Sequence, residues 1–148
     1  MFFNKNLIKQ KGKKIKTLSK NETWILSDST KGMENQSIAL AKMLNNNFKL
    51  VHYNPPYFLK KFPLLGKIYA PYFLRQKLKA HVLPKIIITT GRRMAGSSIA
   101  VKSILKNNVK TIHIQNPKLS LNNFDLLLIP EHDRIEGKNI IQTKGALS

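Results

Sequence analysis

Two stretches of the chain, Ile86-Ile87-Ile88 and Leu126-Leu127-Leu128-Ile129, are apolar at every position rather than at every second one. A strand with one wet face alternates, because successive side chains point to opposite sides of the sheet. Unbroken apolar strands belong instead to a sheet covered on both faces, the pattern of parallel strands flanked by helices. The other segments fit that frame. Thr23-Trp24-Ile25-Leu26 reads as a strand stopped by Ser27-Asp28-Ser29-Thr30, and Ile38, Leu40, Ala41 and Leu44 mark one face of a helix ended by Asn45-Asn46-Asn47. Residues 48–53, 84–90, 109–115, 124–129 and 139–143 supply further strands. A helix with Ile99, Val101, Ile104 and Leu105 inward lies before Asn107-Asn108. Strands separated by helix-length segments build right-handed βαβ units. The expected fold class is α/β, a Rossmann-like parallel sheet flanked by helices.

The 148 residues suffice for one domain with a real core. We expect that domain over residues 22–148, preceded by a basic, poorly ordered arm at 1–21. Cysteine is absent, which excludes disulfides and thiolate metal sites and suits a reducing cytoplasm. No apolar run reaches the length of a membrane-spanning helix, and the basic start lacks the apolar core of a secretory signal.

The net charge is +19, and it is unevenly spread. The first twenty residues carry seven Lys and no acid, and from Asn35 to Phe124 fifteen Lys and Arg again face no acid. Such a surface attracts phosphates, anionic lipid heads or nucleic acid, although a codon bias that inflates Lys, Asn and Ile together accounts for the charge equally well. Nucleic acid is the weakest of these partners, because no helix-turn-helix, RNP or zinc signature is present. Residues 55–83 carry Tyr57, Phe58, Phe62, Tyr69, Tyr72 and Phe73 among Lys60, Lys61, Lys67, Arg75, Lys77 and Lys79. Basic and aromatic residues on short helices suit an interfacial membrane contact. The plainer expectation is a crossover that packs its aromatics on the sheet.

Ligands of open parallel sheets collect beyond the carboxyl ends of the strands. Four segments at such ends are polar beyond ordinary turn needs. The first runs from Ser27 to Gln36, where Gly32 lets backbone approach a ligand and Asn35 and Gln36 follow; a plain helix cap by Ser29 or Thr30 is the competing reading. The second is Gly91-Arg92-Arg93, two guanidinium groups at a helix start, a design that holds phosphate or carboxylate. The third is Gln115-Asn116-Pro117-Lys118, in which amides could read a sugar and Pro117 fixes the turn. The fourth is Pro130-Glu131-His132-Asp133, in which His132 could serve as general base beside a carboxylate. Arg92 and Arg93 should share one cleft with this last segment. No metal motif is present, and His52, His81 and His113 read as structural.

In this order the segments resemble the mitochondrial-fission ELM family and its glycosyltransferase-like bacterial relatives. The resemblance is carried by Trp24, Leu26 and Asp28, Gly32 with Asn35-Gln36, Gly91-Arg92-Arg93, Gln115 with Pro117, Phe124-Asp125, Pro130-Glu131-His132-Asp133, then Asn139, Thr143 and Gly145-Ala146. Asn116, Lys118 and Ser148 depart from the residues usual in the family, namely Asp, Arg and His. The resemblance implies the N-terminal, acceptor-side half of a two-domain GT-B-like glycosyltransferase, inactive alone, with the family's C-terminal domain absent as in a fragment, a split gene or a remnant. It implies a nucleotide-sugar donor, no metal and no covalently bound cofactor. Glu131, His132 and Asp133 become the candidate catalytic residues; Gly32, Asn35, Gln36, Gly91, Arg92, Arg93, Gln115 and Pro117 become the candidate binding residues. The implied partner is the second half or another chain. The residues themselves suggest the cytoplasm, with a peripheral place at the inner face of the membrane as the further option that the basic aromatic stretch at 55–83 raises. The alternative is a non-catalytic basic module that binds a membrane surface or a partner chain.

Overall fold

A computed structural model describes residues 23–44, 47–77 and 83–147. The arm at 1–21 and His81 lie outside the described residues. Six strands form one sheet: β1 (Thr23–Ser27), β2 (Lys49–His52), β3 (Ile86–Thr90), β4 (Lys110–Ile114), β5 (Leu126–Pro130) and β6 (Ile140–Thr143). Their order is β2-β1-β3-β4-β5-β6, and every neighbouring pair is parallel. Among the described residues three α-helices accompany them, α1 (Lys31–Leu44), α2 (Gly66–Lys77) and α3 (Arg92–Leu105). This is the Rossmann-like α/β arrangement that the unbroken apolar runs require.

Both faces of the sheet are covered, and each residue run divides between them. On one face Trp24, Leu26 and Ile87 pack with Val51, with Ala70 and Leu74 of α2, and with Met94, Val101 and Leu105 of α3. That face continues through Leu127, Ile129 and Ile140, met by Ala95 and Ile99 of α3 and by Leu119, Leu121 and Ile135 of the last two crossovers. On the opposite face Ile25, Ile86, Ile88, Ile112, Leu126 and Leu128 pack with Leu40 and Ala41 of α1 and with Leu147. The chain runs from β1 outward to β2, then returns past β1 to β3, so the switch in strand order lies between β1 and β3.

Two local features hold this packing. Gly66, at the start of α2, faces Gly96 of α3 so closely that a Cβ on Gly96 would come within 2.5 Å of the Pro63 carbonyl oxygen and 2.6 Å of the Gly66 Cα. No side chain can occupy that crossing, and the two backbones meet where a Cβ would sit. The second feature is polar. Thr89 and His113 are register partners on β3 and β4, and their side chains hydrogen-bond (Oγ1 to Nδ1, 2.7 Å) with no exposure to solvent. His113 also lies beside the Phe124 ring, with centroids 5.1 Å apart. Burial disfavours the imidazolium and lowers the His113 pKa from 6.5 to about 3.

Gly96→Ala should therefore destabilise the domain by about 2 kcal/mol or more through overpacking against backbone, read as a lowered urea midpoint. His113 predicts acid sensitivity. Its folded pKa lies below the unfolded one, so its stabilising influence is intact above about pH 6.5 and is lost progressively as pH falls toward about 3. The urea midpoint should fall between pH 7 and pH 5, and His113→Phe should flatten that slope.

Candidate functional site

A cleft of about 400 Å³ opens at the carboxyl ends of β3 to β6. Arg92 enters it from the first turn of α3, Gln36 from α1, and Gln115 and Lys118 from the turn after β4. His132 and Asp133 enter from a single 3-10 turn, Glu131–Asp133, directly after β5. Thr143, Gly145 and Ala146 close the far side after β6. A parallel sheet forces this convergence, since all its strands end on one edge.

The local backbone explains which side chains reach the cleft. Gly91 follows β3 with φ 84, a conformation that leaves L side chains strained, and its N–H donates to the Ile114 carbonyl at 3.1 Å. Gly91 thereby turns the chain into α3 and is itself buried. Gln115 and Lys118 also take left-handed conformations (φ 78 and 55), uncommon for residues with a Cβ. Between them Asn116 Oδ1 accepts the Lys118 N–H at 2.9 Å, while Pro117 is buried beneath the turn. His132 Nε2 lies 3.4 Å from Asp133 Oδ1, an ion pair when the imidazole is protonated, and the His132 ring is largely exposed.

Among the sequence candidates, then, the cleft gathers Arg92, Gln36, Gln115, His132 and Asp133. Gly32, Asn35, Gly91, Arg93, Pro117 and Glu131 do not line it. Gly32 is exposed with open space around its Cβ position, and Asn35 is exposed on α1. The two arginines part company because successive helix residues point about 100° apart. Arg93 turns to the switch point between β1 and β3. There its Nε donates to the Pro55 carbonyl at 2.9 Å, its Nη2 donates to the same oxygen, and its Nη1 donates to Asp28 Oδ2 at 3.3 Å. Its guanidinium carbon also sits 5.9 Å from the Tyr57 ring centroid. The crevice where a Rossmann-like sheet ordinarily receives its ligand is thus filled by protein, with Met33, Ser37, Thr90 and Met94 packed around only a narrow gap.

A second polar cluster joins two members of the Ser27–Gln36 segment to His52, which the sequence marks only as structural. Glu34 Oε2 accepts the Ser27 hydroxyl at 2.6 Å and lies 2.8 Å from His52 Nε2. The Ser27 bond is the main influence lowering the Glu34 pKa; partial burial opposes it, and His52 and Lys31 reinforce it. Only the register of β1 and β2, which sets Ser27 beside His52, brings these three together. Asp28, for its part, caps the entry to α1 through the Thr30 N–H at 3.0 Å.

Fold and cleft define a class: a Rossmann-like α/β protein whose polar and cationic groups converge at the carboxyl edge of a parallel sheet. Within that class, residues 31–148 match the family described as Mitochondrial fission ELM1, and the chain belongs to that family. It is 33% identical over 116 residues to the uncharacterized protein RP120 of Rickettsia prowazekii (strain Madrid E), a match covering 74% of this chain and 32% of that protein. Over 50 residues it is 34% identical to the mitochondrial fission protein ELM1 of Arabidopsis thaliana, covering 34% of this chain and 12% of that protein. The chain thus spans about a third of the length of the first relative and about an eighth of the second. No solved structure matches it. Among the described residues no helix is long and apolar enough to cross a membrane.

The split between the arginines is testable by thermal unfolding. Arg93→Ala removes three hydrogen bonds and takes the guanidinium away from Asp28 Oδ2, which should cost about 2 kcal/mol, roughly 6 °C in melting temperature. Arg92→Ala, at an exposed position, should leave the melting temperature unchanged.

Proposed function

We propose that this chain is the acceptor-side half of a GT-B-like glycosyltransferase, inactive until a second half completes the cleft. The observation that supports this most is the convergence of His132, Asp133 and Arg92 on one open cleft at the carboxyl edge of a parallel sheet. That cleft opens to solvent along the carboxyl edge of the sheet, which suits a site shared with a second domain. In this reading His132 takes the proton from an acceptor hydroxyl as its oxygen attacks the anomeric carbon of a nucleotide sugar. The bond from that carbon to the diphosphate oxygen breaks, and the nucleoside diphosphate leaves with the electron pair. Asp133, at 3.4 Å, stabilises the imidazolium that forms. Arg92 and Lys118 hold anionic groups of donor or acceptor, aided by the positive end of the α3 dipole. The metal-free reading follows the chemistry of this set: two cationic groups, a neutral imidazole and one carboxylate suit an anion better than a divalent cation. Among the described residues no group of three His, Cys, Asp or Glu could hold a metal ion.

The test is to supply the chain with the remaining portion of the Rickettsia relative and to follow transfer of labelled sugar from a panel of nucleotide sugars. His132→Ala should lower kcat by roughly a hundredfold or more, as expected for loss of a general base. Arg92→Ala should raise KM about tenfold with a smaller change in kcat. Unchanged kinetics in both variants would remove the catalytic role, and turnover by the chain alone would remove the dependence on a second half.

A further inference from the structure

We propose that the surface formed by residues 57–68 docks on an anionic lipid bilayer. The inference stands apart from the transferase reading, since it rests on a different part of the molecule. The second crossover begins with two 3-10 turns, Tyr57–Lys60 and Pro63–Leu65, and continues into α2. Its aromatics do not all pack on the sheet, as the plainer sequence reading expected. Leu59, Pro63, Ala70 and Leu74 are buried, whereas Tyr57, Phe58, Phe62, Leu64, Leu65 and Ile68 are between 43% and 77% exposed. Among the described residues, every exposed large hydrophobic side chain except Leu83 falls in this one run. Exposed apolar residues scattered singly are ordinary, but a contiguous set marks an interaction surface.

The segment is firmly seated rather than loosely draped. The Pro63 carbonyl and Gly66 abut Gly96 of α3, and the Pro55 carbonyl is held by Arg93. One side is therefore fixed against α3 while the other presents its apolar groups outward. Lys60, Lys61 and Lys67 are exposed among them, with Lys60 Nζ 5.7 Å from the Tyr57 ring and Lys61 Nζ 5.7 Å from the Phe62 ring. No acid occurs anywhere between Glu34 and Asp125 to offset these charges.

This composition selects the partner. The cores of protein interfaces are depleted of Lys, whereas short amphipathic helices with aromatic and Lys side chains are suited to the headgroup boundary of an anionic membrane. There the rings sink among the acyl chains and the lysines reach phosphates. Nucleic acid would use the charge but leave the leucines and Ile68 without a partner.

Flotation of the full chain with vesicles of phosphatidylcholine alone, and of phosphatidylcholine with phosphatidylglycerol, tests the proposal. The chain should float with the anionic vesicles only. The triple variant Phe58→Ser, Phe62→Ser, Ile68→Ser should weaken vesicle binding at least tenfold, with an unchanged melting temperature because these groups are exposed. The triple variant Lys60→Glu, Lys61→Glu, Lys67→Glu should weaken it by about a hundredfold. A control, Lys9→Gln, Lys11→Gln, Lys13→Gln in the basic N-terminal segment, should lose less than either. Equal recovery with both vesicle types would overturn the proposal. So would parental binding by the apolar variant, which would assign any lipid affinity to general charge. A dimer in sedimentation that the apolar variant abolishes, without lipid binding by the parent, would give the surface to a second copy instead and also overturn it.

Discussion

Parallel strands cannot be joined by tight turns, so every connection in this sheet must climb over one face and re-enter from the same edge. That constraint sets the rest of the molecule. The single leftward step, β1 to β2, carries α1 over one face; the rightward steps carry α2, α3 and the last two crossovers over the other. A right-handed crossover rule yields this division directly. The same rule gathers the first residues after each strand at one rim, and the cleft is built from them. The apolar runs and the polar rim are two consequences of one topology.

What is particular to this chain is where the rim stays open. The strand order reverses between β1 and β3, yet Arg93, Asp28 and the Pro55 carbonyl fill that crevice. The filling charge is well matched: a half-buried guanidinium meets a nearly buried carboxylate and a carbonyl, so neither ion is left stranded. The open volume lies farther along, toward β6, where only Asp133 offsets Arg92 and Lys118 among the ionised lining groups. Neighbouring arginines thus serve opposite ends: one holds the second crossover to the sheet, the other lines the open cleft.

The fold was legible because it depends on runs of residues. All six strands and the helices after β1 and β3 follow from short runs rich in strand-forming residues, two of them unbroken apolar stretches, and from helical spacing, which survive small errors at element ends. The site was legible only as far as the rim itself. That Gln36, Arg92, Gln115 and His132 belong at strand ends can be read from position; which of several consecutive residues turns inward depends on single dihedrals. The left-handed backbone at Gln115 and Lys118 has no sequence signal, because neither is Gly, Asn or Asp. The Ser27–Glu34–His52 cluster was hidden for another reason. Its members are 7 and 18 residues apart, and only strand register makes them neighbours. The outward aromatics of residues 57–68 show a third kind of failure, since amphipathic composition cannot say which side of a helix will find a partner.

The residues that carry the family resemblance divide along the same line between scaffold and cleft. Asp125 follows Phe124 among the residues that carry the resemblance, and it accepts Lys102 Nζ of α3 and the Thr111 N–H of β4, each at 2.9 Å. Burial pushes its pKa up, but Lys102, the Thr111 N–H and Lys110 outweigh it, so Asp125 ends below the usual carboxylate range and stays charged at neutral pH. Asn139 likewise gives its amide to the Leu121 and Phe124 carbonyls, at 2.8 and 2.9 Å. Both clamp the irregular crossovers that precede β5 and β6, where no α-helix fixes the path. Those crossovers set where β5 and β6 end, and hence where His132, Asp133 and Thr143 stand. A polar signature in such a fold therefore mixes groups that can act on a ligand with groups that hold the acting ones in place. Solvent access separates them: Asp125 and Asn139 spend their polar atoms on the chain itself, whereas Arg92 and His132 present theirs to an open cleft.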